Sequence, residues 1–397
     1  MVKFSRDSFF LLIVNMLFGA SMIIAATFIN VFIMRSTDNN VSLIIGRSIL
    51  DAIVLLIAFV SGTKLLRFVK ITNIMRIGLL AITTYYVLII VFQNHISTII
   101  VPLGMMSGLG NGLYWFASNI LLMEHVKAEQ QAKFFSYRQT AGFIFGVAIP
   151  FVSGLVIAQF TDLTGYFLLF GVSVVLFIIA AILLQFISGF KAHREIRVKE
   201  ALLHRKNRYW ASAKFLTFTA GLREQVIAFV MVLFLFHIFQ SEVYIGGLSS
   251  AGALIGVVSS LIFARIFKPT KRKHYYFIVT IALSTMYVLQ ALFPYPIMIV
   301  IAMMVIGIFT NWGMTIMQTM FYQLAVKARG EDYKNDFLVA GEFPMAAGRI
   351  LGLVAALAVT QLLPDPLYAY RMLFVLVGLT WVFEFVYVNR KVGWLSE

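Results

Sequence analysis

The sequence predicts an all-α integral membrane protein with twelve transmembrane helices in two parallel six-helix halves. Of the 397 residues, 61% are hydrophobic and only 12% are charged, whereas soluble domains carry about 25% charged residues. The mean hydropathy is +0.91. Because one membrane-spanning helix takes about 20 apolar residues, this length accommodates about twelve of them with short connections.

The spans are predicted in order from the apolar stretches that lie between polar connections. The first follows Lys3 and Arg6 and is too long for the apolar core of a signal peptide, so we expect it to remain uncleaved. The twelve predicted spans cover residues 8–34, 41–61, 74–93, 97–123, 135–159, 165–188, 215–239, 243–264, 275–293, 296–322, 337–363 and 367–389.

The basic residues indicate how these spans are oriented. All but five of the 32 lysines and arginines lie in the connections on the side of the N-terminus or within the first turn of a span that begins there, and this is the cytoplasmic side by the positive-inside rule. The five are Arg35 and Arg371 on the other side, and Arg47, Arg223 and Arg349 within spans. We therefore expect a multi-pass protein of the bacterial inner membrane with both termini in the cytoplasm. The net charge of +15 follows from this topology, and we expect no nucleic-acid partner.

The longest polar connection divides the chain into equal numbers of spans. It covers residues 189–214 and carries eight basic and two acidic residues. Residues 1–188 are predicted to form an N-terminal six-helix bundle and residues 215–397 a C-terminal one, joined by this basic cytoplasmic linker.

The two halves share a short repeat at an offset of 200 residues. Asn111 and the Val-Lys-Ala triplet at 126–128 recur as Asn311 and the same triplet at 326–328. This offset aligns span four with span ten in the same direction, which is typical of carriers that are built from two parallel repeats.

The connection after span two carries a motif resemblance. It reads GTKLLRFVKI, in which Gly62, Arg67 and the charge of Lys70 match the Gly-x-x-x-Asp-Arg-x-Gly-Arg-Arg motif of the major facilitator superfamily, whereas Leu66 and Val69 depart from it. With twelve spans and parallel halves, the whole chain resembles this superfamily of secondary transporters.

Further short stretches extend the resemblance. After span eight, ARIFKPTKRK keeps Arg265 and a basic cluster, and GVAIPFVSG in span five matches an antiporter motif of the family at Pro150 and Gly154. The resemblance implies gating roles for all these motif residues. The GLRE of span seven, with GE and GR in span eleven, is also similar to uncharacterised YqgE-like transporters.

The sequence contains no pattern of an enzyme. It has no phosphate-binding loop, nucleophile elbow or zinc motif, and it contains no cysteine. We therefore expect no catalytic activity, no metal site and no cofactor, and we expect a proton gradient to drive transport.

Charged residues within the spans are the first candidates for a site. Each costs about 2.5–3.5 kcal/mol at mid-bilayer and therefore needs a partner or water. The resemblance implies that spans two and eleven meet across the halves and that span seven lines the cavity. From their depths we predict two ion pairs, Asp51 with Arg349 and Arg223 with Glu342.

Three other charges complete this set. Arg47 shares a helix face with Asp51, because the two are four residues apart. Glu224 points about 100° away from Arg223 and is predicted to contact a neighbouring helix, and Glu384 is predicted to reach water at the end of span twelve. These charges are either fixed ties between helices or gate bridges, anion anchors and proton carriers.

Spans four and ten each carry a polar face and, by the resemblance, line the transport cavity. Either these polar side chains form the wall of a substrate site, or Gly108, Gly110 and Gly112 pack the helices and the amides bond neighbouring helices. The candidates for the cavity wall are Asn111, Trp115, Ser118 and Asn119 in span four, and Asn311, Thr315, Gln318 and Tyr322 in span ten.

We therefore expect a monomeric secondary transporter, in contact with membrane lipid, that moves a small organic solute across the plasma membrane by alternating access. The partial antiporter motif favours proton-coupled export of an amphipathic solute, whereas the intramembrane arginines favour an anionic one. Flipping of a lipid or lipid-linked molecule is one alternative. A transporter-like sensor or assembly partner that moves nothing is the other.

Overall fold

The computed structural model describes residues 4–392 apart from 39, 94, 127, 192–206, 330–333 and 364. Within these residues the regular structure is helical and no strand occurs. The helices are α1 (Arg6–Ala26), α2 (Ile29–Ser36), α3 (Val41–Leu65), α4 (Ile71–Val91), α5 (Ile100–His125), α6 (Ala128–Ala158), α7 (Thr164–Leu183), α8 (Arg208–Phe239), α9 (Glu242–Ile266), α10 (Arg272–Leu292), α11 (Pro296–Arg329), α12 (Lys334–Leu362) and α13 (Pro366–Tyr387).

These helices account for the twelve predicted spans. In the described part of the chain, eleven segments are long and apolar enough to cross a membrane, and α1 and α2 together form the first of them, Arg6–Ser36. The one predicted span that is not among these eleven segments is span four, which corresponds to α5, whose 26 residues reach about 39 Å at about 1.5 Å per residue. Helix α5 is rich in Gly, Ser and Asn, which lowers its hydropathy without shortening it.

The helices form two compact units. One comprises Met1–Glu195 with Ser241–Gly247, and the other comprises Ile196–Gln240 with Leu248–Glu397. Helix α9 therefore begins in the first unit and continues in the second. The turn before it contains Gln240, which ends α8 in a left-handed conformation with φ of 47°. The bounds of the two six-helix bundles that the sequence predicts, 1–188 and 215–397, stay predictions. Most of the basic linker between them lies outside the described residues.

In the first unit, glycines bring helix backbones into contact around α5. Gly104, Gly108 and Gly112 lie at intervals of four and face the backbone of α3, where a methyl group at Gly108 would meet Asp51 O at 2.5 Å. Gly110 faces α4 instead. Small residues allow this close approach, which drives helix association in lipid. The packing role weighed for Gly108, Gly110 and Gly112 is confirmed.

A polar contact and aromatic stacking hold α1 against α5. The Asn15 side chain accepts hydrogen bonds from Tyr114 at 3.3 Å and from Ser118 at 3.0 Å. One turn along α1, Phe18 stacks on the Tyr114 ring with centroids 3.5 Å apart. All four residues are buried, so this cluster is part of the core of the first unit.

Candidate functional site

The candidate site in the second unit is built where α8 and α12 touch backbone to backbone. Gly221 on α8 lies against the Met345 carbonyl, and Gly348 and Gly352 on α12 lie against the Phe218 and Leu222 carbonyls. Side chains on these two helices therefore meet at short range, and the residues adjacent to Gly348 and three after Gly221 are charged.

Arg349 contacts two carboxylates at this contact between helices. Its guanidinium donates to Glu224 Oε2 from Nη2 at 3.0 Å and from Nε at 3.3 Å. Its Nη1 forms a second ion pair with Glu342 Oε2 at 3.8 Å. The side chain of Arg349 is 11% exposed, whereas those of Glu224 and Glu342 are 42% and 26% exposed. Both acids thus contact an arginine while part of each side chain remains on the surface of the second unit.

Arg223 does not pair with Glu342, so the predicted pair is wrong. Its Nη1 donates to Glu384 Oε2 at 2.6 Å, and both residues are buried, at 3% and 0% exposure. The reason is the direction of the side chains on α8: Glu224 points to α12, and Arg223, about 100° further round, points to α13. The prediction that Glu224 contacts a neighbouring helix is confirmed by its bond to Arg349.

The sequence suggested that Glu384 reaches water at the end of its span. It does not, because a polar cluster inside the second unit binds it. Thr219 and Tyr276 both donate to its carboxylate, in addition to Arg223. The Arg223 guanidinium also lies over the Trp381 ring, 3.9 Å from its centroid. The two charges are thus neutralised and covered by side chains of α8, α10 and α13.

Arg47 in the first unit donates to neutral groups. Its guanidinium bonds Tyr85 Oη at 3.2 Å, and Asn30 Oδ1 and Ser48 Oγ at 3.3 Å each. Its Nε–H has no hydrogen-bond partner among the described residues. The expected pair of Asp51 with Arg349 would join the two units and stays a prediction.

The polar residues of α5 and α11 divide into buried and exposed members. Ser118 is 1% exposed and bonds Asn15, so it ties α1 to α5. Asn111 and Asn311 are half-buried, and Asn311 lies against Gly256 of α9. The side chain of Tyr322 lies outside the described residues. On the surface of their own unit lie Trp115, Asn119, Thr315 and Gln318.

The motif residues of the connections lie at the ends of helices. Gly62 packs against the Phe116 ring, while Arg67 and Lys70 are exposed, and Lys70 immediately precedes α4. Arg265 is exposed in the last turn of α9. These positions leave their gating roles as predictions.

Pro150 and Gly154 of α6 pack directly against the start of α9. A methyl group at Gly154 would meet the backbone of Glu242 and Val243, and one at Gly246 would meet the carbonyl of Pro150. This contact involves the segment Ser241–Gly247, where α9 leaves the first unit.

Sequence reasoning missed the charged residue of this segment. Glu242 is 6% exposed, pairs with Arg35 Nη2 at 2.8 Å and accepts a hydrogen bond from Tyr166 Oη at 2.5 Å. In the sequence, Glu242 resembles an ordinary acidic residue in the first turn of a helix, where the helix dipole favours a negative charge. The available signal was that Arg35 and Glu242 are both predicted at the non-cytoplasmic ends of spans.

Across the described residues, no group of three or more His, Cys, Asp or Glu side chains is placed to hold a metal ion. The polar groups among the site candidates are instead paired charges, side-chain amides and indole N–H groups, which can donate or accept hydrogen bonds.

Comparisons with known proteins agree with this architecture. The chain is 22% identical over 371 residues to "Uncharacterized protein YqgE" of Bacillus subtilis (strain 168), covering 92% of this chain and 85% of that protein. A solved bacterial homologue of the human drug peptide transporters PepT1 and PepT2 superposes with a TM-score of 0.74 at 13% identity, covering 98% of both chains. A bacterial homologue of the iron transporter ferroportin in the inward-facing state superposes with a TM-score of 0.69 at 14% identity, covering 96% of this chain and 98% of that one.

Identities as low as those to the solved structures establish the shared fold and leave the substrate open. The sequence model of the Major Facilitator Superfamily matches residues 9–352. With its helical spans and these structural neighbours, the protein is a multi-pass membrane protein and a secondary transporter, not an enzyme, and the chain belongs to the Major Facilitator Superfamily.

Proposed function

We propose that the protein is a proton-coupled exporter of a small amphipathic organic solute, working by alternating access in the bacterial inner membrane with both termini in the cytoplasm. The observation that carries this proposal is the cluster of Glu224, Arg349 and Glu342, in which one guanidinium contacts two carboxylates. With both acids ionised, these three groups carry one negative charge in excess. The cluster can therefore accept a proton without leaving a positive charge unpaired.

Coupling follows from the unequal contacts of the two acids. Glu224 is held by two hydrogen bonds, whereas Glu342 lies 3.8 Å from the same guanidinium. A carboxylate loses proton affinity beside an arginine and regains it when the arginine moves away. A change of conformation that alters which acid binds Arg349 is therefore linked to proton uptake or release.

The solute class follows from the partners of the arginines. Arg223 is neutralised by Glu384, and Arg349 contacts two carboxylates, so both are poor anchors for an anion. Among the predicted cavity residues, the first unit exposes an aromatic ring, Trp115, and the second unit exposes an amide, Gln318. An apolar surface with a few placed polar groups suits an amphipathic ligand. Export as the direction is supported by the partial antiporter motif at Pro150 and Gly154.

A second candidate function, transport of an anionic solute, is favoured by Arg47. Its described hydrogen bonds go to neutral groups and its Nε–H is unpartnered among the described residues. A buried guanidinium in this state retains capacity for a carboxylate or phosphate. The charge of the transported solute separates the two candidates.

The test begins with a thermal-shift screen of the purified protein against matched neutral, cationic and anionic amphipathic compounds. Each stabilising compound is then transported in proteoliposomes with and without an imposed pH gradient. We expect neutral or cationic compounds to be accumulated only with the gradient, and to evoke a proton flux that a pH-sensitive dye reports.

The outcomes of these assays separate proton-coupled export, transport of an anionic solute and a sensor that moves nothing. Accumulation that is independent of the pH gradient contradicts proton coupling. Exclusive transport of anionic compounds, abolished by Arg47→Gln, establishes the second candidate. Binding without uptake or counterflow points to a sensor rather than a carrier.

A further inference from the structure

A pocket at the end of the second unit is unrelated to the ion pairs described above. The short helical turn Pro269–Lys271 and the first turns of α10 form one wall, and α13 forms the other. Its volume is about 680 Å³. The residues that line it are Thr270, Lys271, Lys273, His274, Phe277 and Phe385.

The polar wall of the pocket is positively charged. Lys271, Lys273 and His274 are exposed, while Arg272 between them is 5% exposed and donates to Gln323 Oε1 at 2.7 Å. No acidic residue occurs in the sequence between Glu242 and Glu331.

The nearest acid on α13 does not reduce this charge. Glu384 directly precedes Phe385, but it is fully buried and its carboxylate is bound to Arg223. The lysines therefore face the pocket without a carboxylate from that helix.

The apolar side of the pocket is formed by Phe277 of α10 and Phe385 of α13, and it continues along the outer surface of α10. The rings of Phe277 and Phe385 lie 5.5 Å apart. Phe277 is 47% exposed, and Ile281, one helical turn further into the span, is 49% exposed. Along α10 the exposed groups thus change from cations to an aromatic ring to an aliphatic chain as the helix enters the membrane.

We propose that this pocket binds the phosphate headgroup of an anionic phospholipid, whose acyl chain lies along Phe277 and Ile281. The order of charged, aromatic and aliphatic groups matches the order of groups in such a lipid, and basic pockets at the ends of transmembrane helices bind anionic headgroups. A free phosphate ion would use the lysines and leave the apolar wall uncovered. This inference is independent of the transported solute and of its direction.

The test measures lipid binding to the purified full-length protein by native mass spectrometry. Phosphatidylglycerol, phosphatidylcholine and inorganic phosphate are titrated separately. Because one interfacial lysine is worth about fivefold in affinity, the double variant Lys271→Gln/Lys273→Gln is expected to bind phosphatidylglycerol about 25-fold more weakly. Lys271→Arg/Lys273→Arg retains the charge and is expected to retain binding.

The matched control removes the same charge elsewhere. Lys64 and Lys191 are exposed and lie outside the pocket, so Lys64→Gln/Lys191→Gln is expected to bind phosphatidylglycerol within about twofold of the unaltered protein. If the double variant in the pocket does not fold, the single exposed change Lys273→Glu replaces it and is expected to weaken binding at least as much as one lysine contributes.

Three results would overturn the proposal. They are equal binding of phosphatidylglycerol and phosphatidylcholine, equal weakening by the pocket and control variants, and competition by inorganic phosphate at the same concentrations as phosphatidylglycerol. Unchanged binding of phosphatidylglycerol by Lys273→Glu would be a fourth result that overturns the proposal.

Discussion

Arg223 on α8 and Glu384 on α13 form a buried ion pair within the second unit, with Nη1 and Oε2 2.6 Å apart. Thr219, Tyr276 and the Trp381 ring complete the surroundings of the two charges. A charge pair of this kind costs desolvation energy that only good geometry offsets. We infer that Arg223, through Glu384, holds three helices together, which is the fixed tie between helices that the sequence left open as one of its roles.

The first prediction concerns the stability of this pair. Glu384→Gln and Arg223→Met each leave one buried charge without its partner, so each is expected to destabilise the protein by about 3–5 kcal/mol. The double variant Arg223→Met/Glu384→Met removes both charges and is expected to be more stable than either single variant. The readout is the fraction of monodisperse protein after heating, by size-exclusion chromatography.

A double variant whose loss equals the sum of the single losses contradicts a direct pair. An Arg223→Met protein with unaltered stability but no ligand binding would show instead that Arg223 holds a solute.

The second prediction concerns the contact between α8 and α12. A methyl group at Gly348 would collide with the Phe218 carbonyl and lie 2.9 Å from Leu222 N, whereas nothing lies within 4 Å of one at Gly171 on α7. Gly348→Ala is expected to cost about 1–3 kcal/mol through overpacking. Gly171→Ala is expected to be neutral or to stabilise by up to about 1 kcal/mol. The same heating assay compares them, and equal stability of the two variants contradicts the close contact.

The third prediction concerns the Arg35–Glu242 pair at the start of α9. Glu242→Gln removes the charge that Arg35 binds and is expected to loosen the contact of α9 with Gly154. Because the chain contains no cysteine, a single Ser153→Cys change provides the only thiol, at a position that is 2% exposed. We expect a water-soluble thiol reagent to modify it several-fold faster when Glu242→Gln is present.

The control for this experiment is Asp162→Asn, which removes an exposed acid from the connection between α6 and α7. Its labelling rate is expected to equal that of Ser153→Cys alone. Equal labelling rates in all three proteins would mean that the Arg35–Glu242 pair does not stabilise the contact between α9 and Gly154.

The positions of the helices could be predicted from the sequence because each span is a long apolar stretch between charged connections. The direction in which each side chain points from its helix could not be predicted from the sequence. In a soluble helix the polar face marks the outside, but in a bilayer the lipid and the bundle interior are both apolar. The local sequence pattern around Arg223 therefore does not indicate that Arg223 points to α13 while Glu224 points to α12.

Pairing between distant residues was inferred from depth alone, and depth selects several partners equally well. Glu384 was set aside because it lies near the end of a span, although Trp381 one turn before it gives that turn a bulky buried face. Glu342 was predicted to pair with Arg223, but it pairs with Arg349 on its own helix. The packing role of the α5 glycines could be predicted from their small size, but not that Gly108 and Gly112 face α3 while Gly110 faces α4.

We propose that Glu224 and Glu342 couple proton movement to transport, and the fourth prediction tests this role by separating gradient-driven accumulation from counterflow. Counterflow exchanges solute for solute and needs no net proton movement, so it reports binding and alternating access alone. Glu124→Gln, an exposed acid at the end of α5, serves as the matched control and is expected to retain both activities.

In proteoliposomes that contain a solute identified by the thermal-shift screen, accumulation driven by a pH gradient and counterflow are measured in parallel for Glu224→Gln and Glu342→Gln. We expect at least one of the two variants to lose accumulation by about tenfold or more while it retains counterflow, since an amide can replace the shape of the carboxyl group but cannot carry its proton. Retention of gradient-driven accumulation in both variants would contradict the account.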